Sequence, residues 1–415
     1  MASHLPSRLA ALPGILVQKP WRFGLAVALL HLLLVAPMLA RHHFDPSVLI
    51  VAGDRFVAAG QTPSPIIIRP HSDGYDGQFY YRLALAPFLP RAQAFGITLD
   101  HPAWRMQRIL LPMLVRAVAG LNPALVPASF LAVNLTGIFV IGWLAAGVAR
   151  ARQMPWAVPV AIALWPGLLI ALTHDTTEIL ATALLLAGIA AWLARRWGVC
   201  ALMLALASLT RETAILVAAG MLALRLYQLA RPQGVRRDWQ AAAWAFAAVL
   251  PFLAWREILL GLWQNAPQAH GVAQNIGWPL LGLMQSLLAN LLNYTVGAAR
   301  APATRVVRIT ALLGIGLIVC TGARAFRARR MACQSPEASA LMLGWLALLV
   351  LMALLTAQGP WVEPTASFRA FTEFWVLSWV LIGLTKLSPK RPSWLFAGML
   401  PALLGIWELC WIQLK

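Results

Sequence analysis

The sequence predicts an all-α, polytopic bundle of transmembrane helices with one long extramembrane loop near its start. Three observations carry this. Only 11% of the 415 residues are charged and 60% are hydrophobic, with a mean hydropathy of +0.72, whereas a soluble domain carries about 25% charged residues. Apolar runs recur along the whole chain, and about eleven spans of ~20 residues would use most of its length. The loops between them alternate between strongly basic and mixed polar, as the positive-inside rule expects of successive loops. Residues 1–415 therefore read as a single integral membrane domain, with no room for a large soluble one.

The formal net charge of +19 comes from 33 Lys+Arg against 14 Asp+Glu. In this context it is read as basic cytoplasmic loops and not as a nucleic-acid surface. Cys200, Cys320, Cys333 and Cys410 lack metal-ligand spacing, so neither a disulfide framework nor a metal cage is expected. Lys19 and Arg22 precede a full-length apolar run with no small-residue cleavage site after it, which reads as a retained span and not a cleaved signal.

In chain order, the first span is about 21–40. Its basic flank (Arg8, Lys19, Arg22) puts the N-terminus in the cytoplasm. The segment 41–123 is then a long loop on the outer side, too polar to span and too apolar to be disordered, so short interfacial helices are expected there. Further spans follow at about 124–148, 155–172, a return ending at Arg195-Arg196, a short one at 199–209, a run back to Arg231, and 241–262. The piece 278–292 is short for a span and reads as re-entrant or flat. Then come 306–321, closed by Arg324, Arg327, Arg329 and Arg330, and 340–355. A tenth span ends at Lys386, Lys390 and Arg391, and an eleventh ends the chain. On this alternation every inner loop is basic. The spans look nearly free of mid-bilayer charge, and no internal repeat suggests a transporter built of inverted halves.

The polar motifs all fall on the outer side. The densest is His71-Ser-Asp-Gly-Tyr-Asp-Gly-Gln-Phe-Tyr-Tyr-Arg82, with Asp73 and Asp76 three apart, each before a glycine, and Gln78, Tyr80, Tyr81 and Arg82 after them. Two acids at that spacing share a face where the segment is helical, and glycine permits close approach of backbone or substrate. Asp-Gly is equally a turn former, which weighs about evenly for Asp73; for Asp76 a general base is favoured. Arg105 and Arg108, with Gln107 between them, share a helix face and suit a phosphate group, since guanidinium offers a rigid fork of donors. Arg116 reads as a snorkelling side chain.

His174, Asp175 and Glu178 offer two readings. Asp175 caps a helix starting near Thr176 with Glu178 in its first turn, or the three line an acceptor site or supply ligands to a loosely held Mg²⁺ or Mn²⁺. Arg211 and Glu212 neutralise each other, or Arg211 faces a lipid phosphate. Arg300, Arg305, Arg308 and Arg369 run against the positive-inside trend. Arg369 stands four residues before Glu373, so the two pair along a helix turn, or one of these arginines contacts phosphate. An outer loop carries Gln264, Asn265, His270, Gln274 and Asn275, and another carries Glu363. The collection of acids, amides and extra arginines on one side argues for an active site there.

Tyr75-Asp-Gly-Gln-Phe-Tyr-Tyr-Arg-Leu-Ala84 followed by Trp104-Arg-Met-Gln-Arg-Ile-Leu-Leu-Pro112 resembles polytopic bacterial proteins of cell-surface glycopolymer formation in the GT-C glycosyltransferase superfamily. These are distantly similar to the GPI mannosyltransferases, which carry a Trp-Asp-Gly version of the first motif. The resemblance implies a polyprenyl-phosphate sugar donor, a glycan or lipid acceptor, and catalysis at the periplasmic face of the inner membrane. It implies an acid of the first outer loop as general base, matched here by Asp76, with Asp73 as a second, supporting acid. A plain Asp-X-Asp is missing, so the resemblance does not carry metal dependence. The alternative is a flippase or a non-catalytic assembly protein for a lipid-linked glycopolymer. A flippase needs polar groups along a path through the membrane.

Overall fold

The computed structural model describes residues 14, 16–230, 236–263, 275–295, 302–332, 335–357, 360–361, 363–385 and 393–413. The expectations on Arg8, Arg231, Gln264, Asn265, His270, Gln274, Arg300, Cys333, Lys386, Lys390 and Arg391 lie outside these residues.

The protein is a helical bundle. α1 (Pro20–Arg41) leads into the loop domain, which holds α2 (Asp76–Leu85), α3 (Pro102–Gln107) and α4 (Leu110–Val118). The bundle resumes with α5 (Val126–Ala151), α6 (Ala157–Ala163), α7 (Pro166–Thr173), α8 (Glu178–Leu193) and α9 (Trp197–Thr210). It continues with α10 (Ile215–Leu229), α11 (Arg236–Leu262), α12 (Leu281–Thr295), α13 (Pro302–Ala332) and α14 (Pro336–Leu354), then α15 (Pro364–Ala370), α16 (Thr372–Leu384) and α17 (Ser393–Gln413). Proline begins α1, α3, α7, α14 and α15, where its missing N–H has no helical partner to lose and its φ suits the turn. The Ser335 side chain caps α14 by accepting from Ala338 N at 3.1 Å.

Among the described residues, six helices are long and apolar enough to cross a membrane, or seven if the bent pair α15–α16, with 52° between its halves, counts as one span. The other expected runs are helical but shorter: Ala157–Thr173, Glu178–Leu193, Trp197–Thr210, Leu281–Leu291 and Gly398–Ile412. α1 packs on α5, α8 on α9, α10 on both α11 and α14, and α13 on α16 and α17. One apolar core runs through the bundle. A second lies under the loop domain, around Phe79, Leu83, Met106 and Phe130.

The loop between α1 and α5 is more than short helices. It also holds β1 (Ala52–Gly53) parallel to β2 (Ile68–Arg69), and β3 (Gln93–Ala94) antiparallel to β4 (Ile97–Thr98). Gly74 takes φ +65° just before α2, a left-handed turn that glycine adopts without a Cβ clash. A Cβ on Gly77 would sit 2.5 Å from His174 O and 2.6 Å from Ile50 O. Glycine there lets the first turn of α2 press against the α7–α8 connection, which fixes the height of Asp76.

Candidate active site

Asp76 opens α2 and its side chain is 14% exposed. Arg105 Nη1 donates to its Oδ1 at 2.6 Å, and Arg369 Nη1 donates to its Oδ2 at 2.5 Å. Arg108 Nη1 stands 4.0 Å from the same Oδ2. The sequence brings these together from three places: the N-terminus of α2, the end of α3 and the end of α15. Burial pushes the Asp76 carboxyl up, but the Arg105, Arg369 and Arg108 guanidiniums more than reverse this and hold it well below the usual carboxylate range.

Each arginine is itself fixed by a second carboxylate. Arg105 grips Asp100 with Nε at 2.8 Å and Nη2 at 2.7 Å. Its guanidinium lies 4.4 Å from the Phe79 ring and 4.9 Å from the Trp104 ring. Arg108 forms a bidentate pair with Glu212, at 2.9 and 2.5 Å, and donates to Tyr80 Oη at 3.0 Å. Arg369 Nε lies 3.4 Å from Glu178 and its guanidinium covers the Tyr75 ring at 4.9 Å. Arg211 pairs with Glu373 at 2.9 Å, stands 3.8 Å from Glu178, and donates to the Arg369 and Ala370 carbonyls. The result is a charge lattice crossing the loop domain and four segments of the bundle. Two of these pairs, Arg105 with Asp100 and Arg108 with Glu212, are planar forks, which fix the orientation of both guanidiniums.

The lattice forms one end of a cavity of about 770 Å³. Tyr75, Asp76, Arg108, Arg211, Glu212 and Arg369 face it at that end, with Gln107 and Trp104 beside them. Leu216, Phe252, Leu259, Leu348, Met352 and Phe374 make the apolar walls. These walls come from α10, α11, α14 and α16. The cavity is thus amphiphilic, with a charged head and an apolar trough between helices.

Several expected pairings are corrected. Arg211 and Glu212 do not neutralise each other: Arg211 pairs with Glu373 and Glu212 with Arg108. Arg369 does not pair with Glu373 four residues on, because its guanidinium turns back to Asp76. Asp175 does not cap the next helix. It sits at φ 46°, its Oδ1 accepts from Asn134 Nδ2 at 3.2 Å, and burial pushes its carboxyl well above the usual range. Arg116 donates to the Ala84 and Leu85 carbonyls at the end of α2 and does not snorkel.

Other expected site residues stand apart from the cavity. Asp73 precedes α2, so it shares no helix face with Asp76. Its side chain is 69% exposed and pairs with Arg55 at 2.8 Å. Gln78 is buried and structural, its Oε1 accepting from Gly53 N at 3.0 Å and its Nε2 donating to Asp73 O at 2.8 Å. Tyr81 is buried in the loop core, and Arg82 ties the Leu89 and Arg91 carbonyls. Arg305 is exposed on α13 and does not line the cavity, and neither does Arg308.

His174, Asp175 and Glu178 do not converge as ligands. The His174 Nδ1 bonds Ile170 O and Thr173 Oγ1, its ring meets Tyr75 edge-on at 4.5 Å, and Glu178 turns toward the two arginines. Among the described residues, no group of three or more His, Cys, Asp or Glu could hold a metal ion.

Sequence reasoning missed Asp100 and Arg256 as site residues. Asp100 stands five residues before Arg105 in the same loop, an acid close to two arginines. Arg256 lines the cavity from α11; its signal is an ionisable residue inside a predicted span. No protein-family model, curated protein or solved structure matches this chain.

Proposed function

We propose that this chain is an inverting glycosyltransferase that moves a sugar from a polyprenyl-phosphate carrier to a glycan or lipid acceptor at the periplasmic face of a bacterial inner membrane. On this reading the bundle is GT-C-like, crosses the membrane about eleven times at ~20 residues per average span, and starts in the cytoplasm. The observation that carries the proposal is the amphiphilic cavity, with a buried carboxylate and its guanidiniums at one end and apolar helix walls at the other. A sugar phosphate with an isoprenoid tail has the same division of polarity. The length of α9 supports a recessed site. Its 14 residues span about 21 Å at 1.5 Å per residue, short of a hydrocarbon core of ~30 Å, so on this reading a span starting at the inner surface leaves Arg211 at its end recessed from the outer one.

In the proposed reaction Asp76 takes the proton of the acceptor hydroxyl. The acceptor oxygen attacks the anomeric carbon, the bond from that carbon to the phosphate oxygen breaks, and polyprenyl phosphate leaves with the electron pair. Arg108 and Arg369 face the cavity and stabilise the charge that develops on the leaving phosphate. Asp76 held below its usual range is a weak base. A donor phosphate competes with Asp76 for Arg369 and Arg108, and losing those partners raises its basicity. Base activation is then coupled to donor occupancy.

One observation favours a second reading. Asp76 is clamped by three guanidiniums, as a structural keystone would be, and a non-catalytic assembly protein for a lipid-linked glycan needs only the cavity. The discriminating experiment is release of polyprenyl phosphate by the purified full chain in nanodiscs, given a polyprenyl-phosphate sugar and candidate acceptors. Release that disappears in Asp76→Asn supports transfer. Tight donor binding with no release from any acceptor supports the second reading.

A further inference from the structure

Four arginines line the cavity: Arg108, Arg211, Arg256 and Arg369. Three are committed to carboxylates, Arg108 to Glu212, Arg211 to Glu373 and Arg369 to Asp76. Among the described residues, Arg256 makes no ion pair or hydrogen bond. Glu257 follows it in sequence, but successive helix residues point about 100° apart and do not face each other.

The position of Arg256 is set by α11. Phe252, Arg256, Leu259 and Leu260 line the cavity at i, i+4, i+7 and i+8, which is one helical face. The same turn is pinned to the loop domain: Trp255 Nε1 donates to Met106 O at 2.8 Å, and its ring meets Phe88 edge-on at 6.0 Å. The turn of α11 that carries Arg256 is therefore held against α3, which carries Arg105. Arg256 lies six residues before the end of α11 at Leu262, about 9 Å along the helix axis. Arg256 is an exposed side chain at the open rim of the cavity, and a cation within an apolar helix of this kind is costly in a membrane unless it faces a polar cavity or an anion. Its neighbours on that face are apolar, so a ligand there has a hydrophobic part beside its charge.

We infer that Arg256 is the primary phosphate contact of the cavity, the residue that docks the phosphate of an isoprenoid lipid before the Asp76 lattice rearranges. This rests on the lipid-phosphate reading above and deepens it. The committed arginines give up a carboxylate to bind a phosphate, whereas Arg256 gives up only water, so the ligand meets it first.

The test uses the full chain in nanodiscs of phosphatidylcholine, with farnesyl phosphate as the probe, and farnesol, inorganic phosphate and phosphatidylglycerol as comparison ligands. Wild type is expected to bind farnesyl phosphate, and R256Q to bind it about tenfold or more weakly, the weight of one charged hydrogen-bonding contact. R256K is expected to retain part of the affinity, and E257Q all of it. Farnesyl phosphate bound equally by wild type and R256Q overturns the role of Arg256 and leaves the proposed function standing. No binding of farnesyl phosphate by wild type overturns both. Inorganic phosphate competing at the same affinity assigns the site to a free anion and overturns the lipid ligand; phosphatidylglycerol competing equally does the same for the isoprenoid.

Discussion

Asp76→Asn is the sharpest test of the site. The change is nearly isosteric, so its structural effect follows from the partners left behind. Arg105 keeps two bonds to Asp100, and Arg369 keeps Glu178 at 3.4 Å. No guanidinium is stranded, so the cost falls below the ~3–5 kcal/mol of a broken buried pair and nearer the ~1–3 kcal/mol of a lost charged hydrogen bond. A modest drop in melting temperature with normal protein in the membrane is expected. Catalysis is affected differently. Losing a positioned general base costs about 10²- to 10⁴-fold in rate, or ~3–5 kcal/mol of barrier. The assay is polyprenyl phosphate release at saturating donor and acceptor, with surface-glycan profiling of the mutant strain beside it. A base role predicts a fall in kcat with donor KM unchanged or lowered, since the donor phosphate no longer competes with a carboxylate for Arg369 and Arg108. A release rate within threefold of wild type at equal protein level would refute the assignment. A raised donor KM with kcat intact would make Asp76 an organiser of the arginines and not a base.

The remaining expectations concern the same lattice. Because the Asp76 carboxyl is held well below its ordinary value of 3.8, its contribution to stability is present above that value and is lost only as pH falls through the lower folded-state pKa; kcat/KM should show no acid limb from Asp76 between about pH 5 and 8, whereas kcat should show one if donor binding draws the arginines away. Glu212→Gln removes the bidentate partner of Arg108, whose side chain is only 7% exposed, and should cost about 3 kcal/mol of stability, read as a fall in melting temperature, with donor affinity altered in step. Gly77→Ala should abolish the folded protein or its activity, because the added Cβ meets backbone oxygens at 2.5 and 2.6 Å that cannot yield cheaply; thermal melting of detergent-solubilised protein checks it. Asp73→Asn should leave both activity and melting temperature unchanged, since its pair with Arg55 is exposed, and a large loss of release would restore it as a supporting acid.

Sequence by itself determined the helical class, the membrane character and the residue at the centre of the site. Those depend on local properties: runs of apolar residues, their length, and a short polar motif around Asp76 standing out against them. It also brought Arg105, Arg108, Arg211, Glu178 and Arg369 to attention, because charges near apolar runs are costly unless they have a task. What it left undecided was pairing. Local rules put Arg211 with Glu212 and Arg369 with Glu373; the structure pairs Arg108 with Glu212 across 104 residues, and Arg369 with Asp76 across 293. The reason is geometric. Neighbours in sequence at a helix end point in different directions, while helix ends that converge from distant segments bring opposite charges to hydrogen-bonding distance in a place with little water. The same convergence decides which residues are bystanders. Asp73 and Asp76 differ by three positions, yet the turn at Gly74 sends one to solvent and puts the other at the head of the cavity.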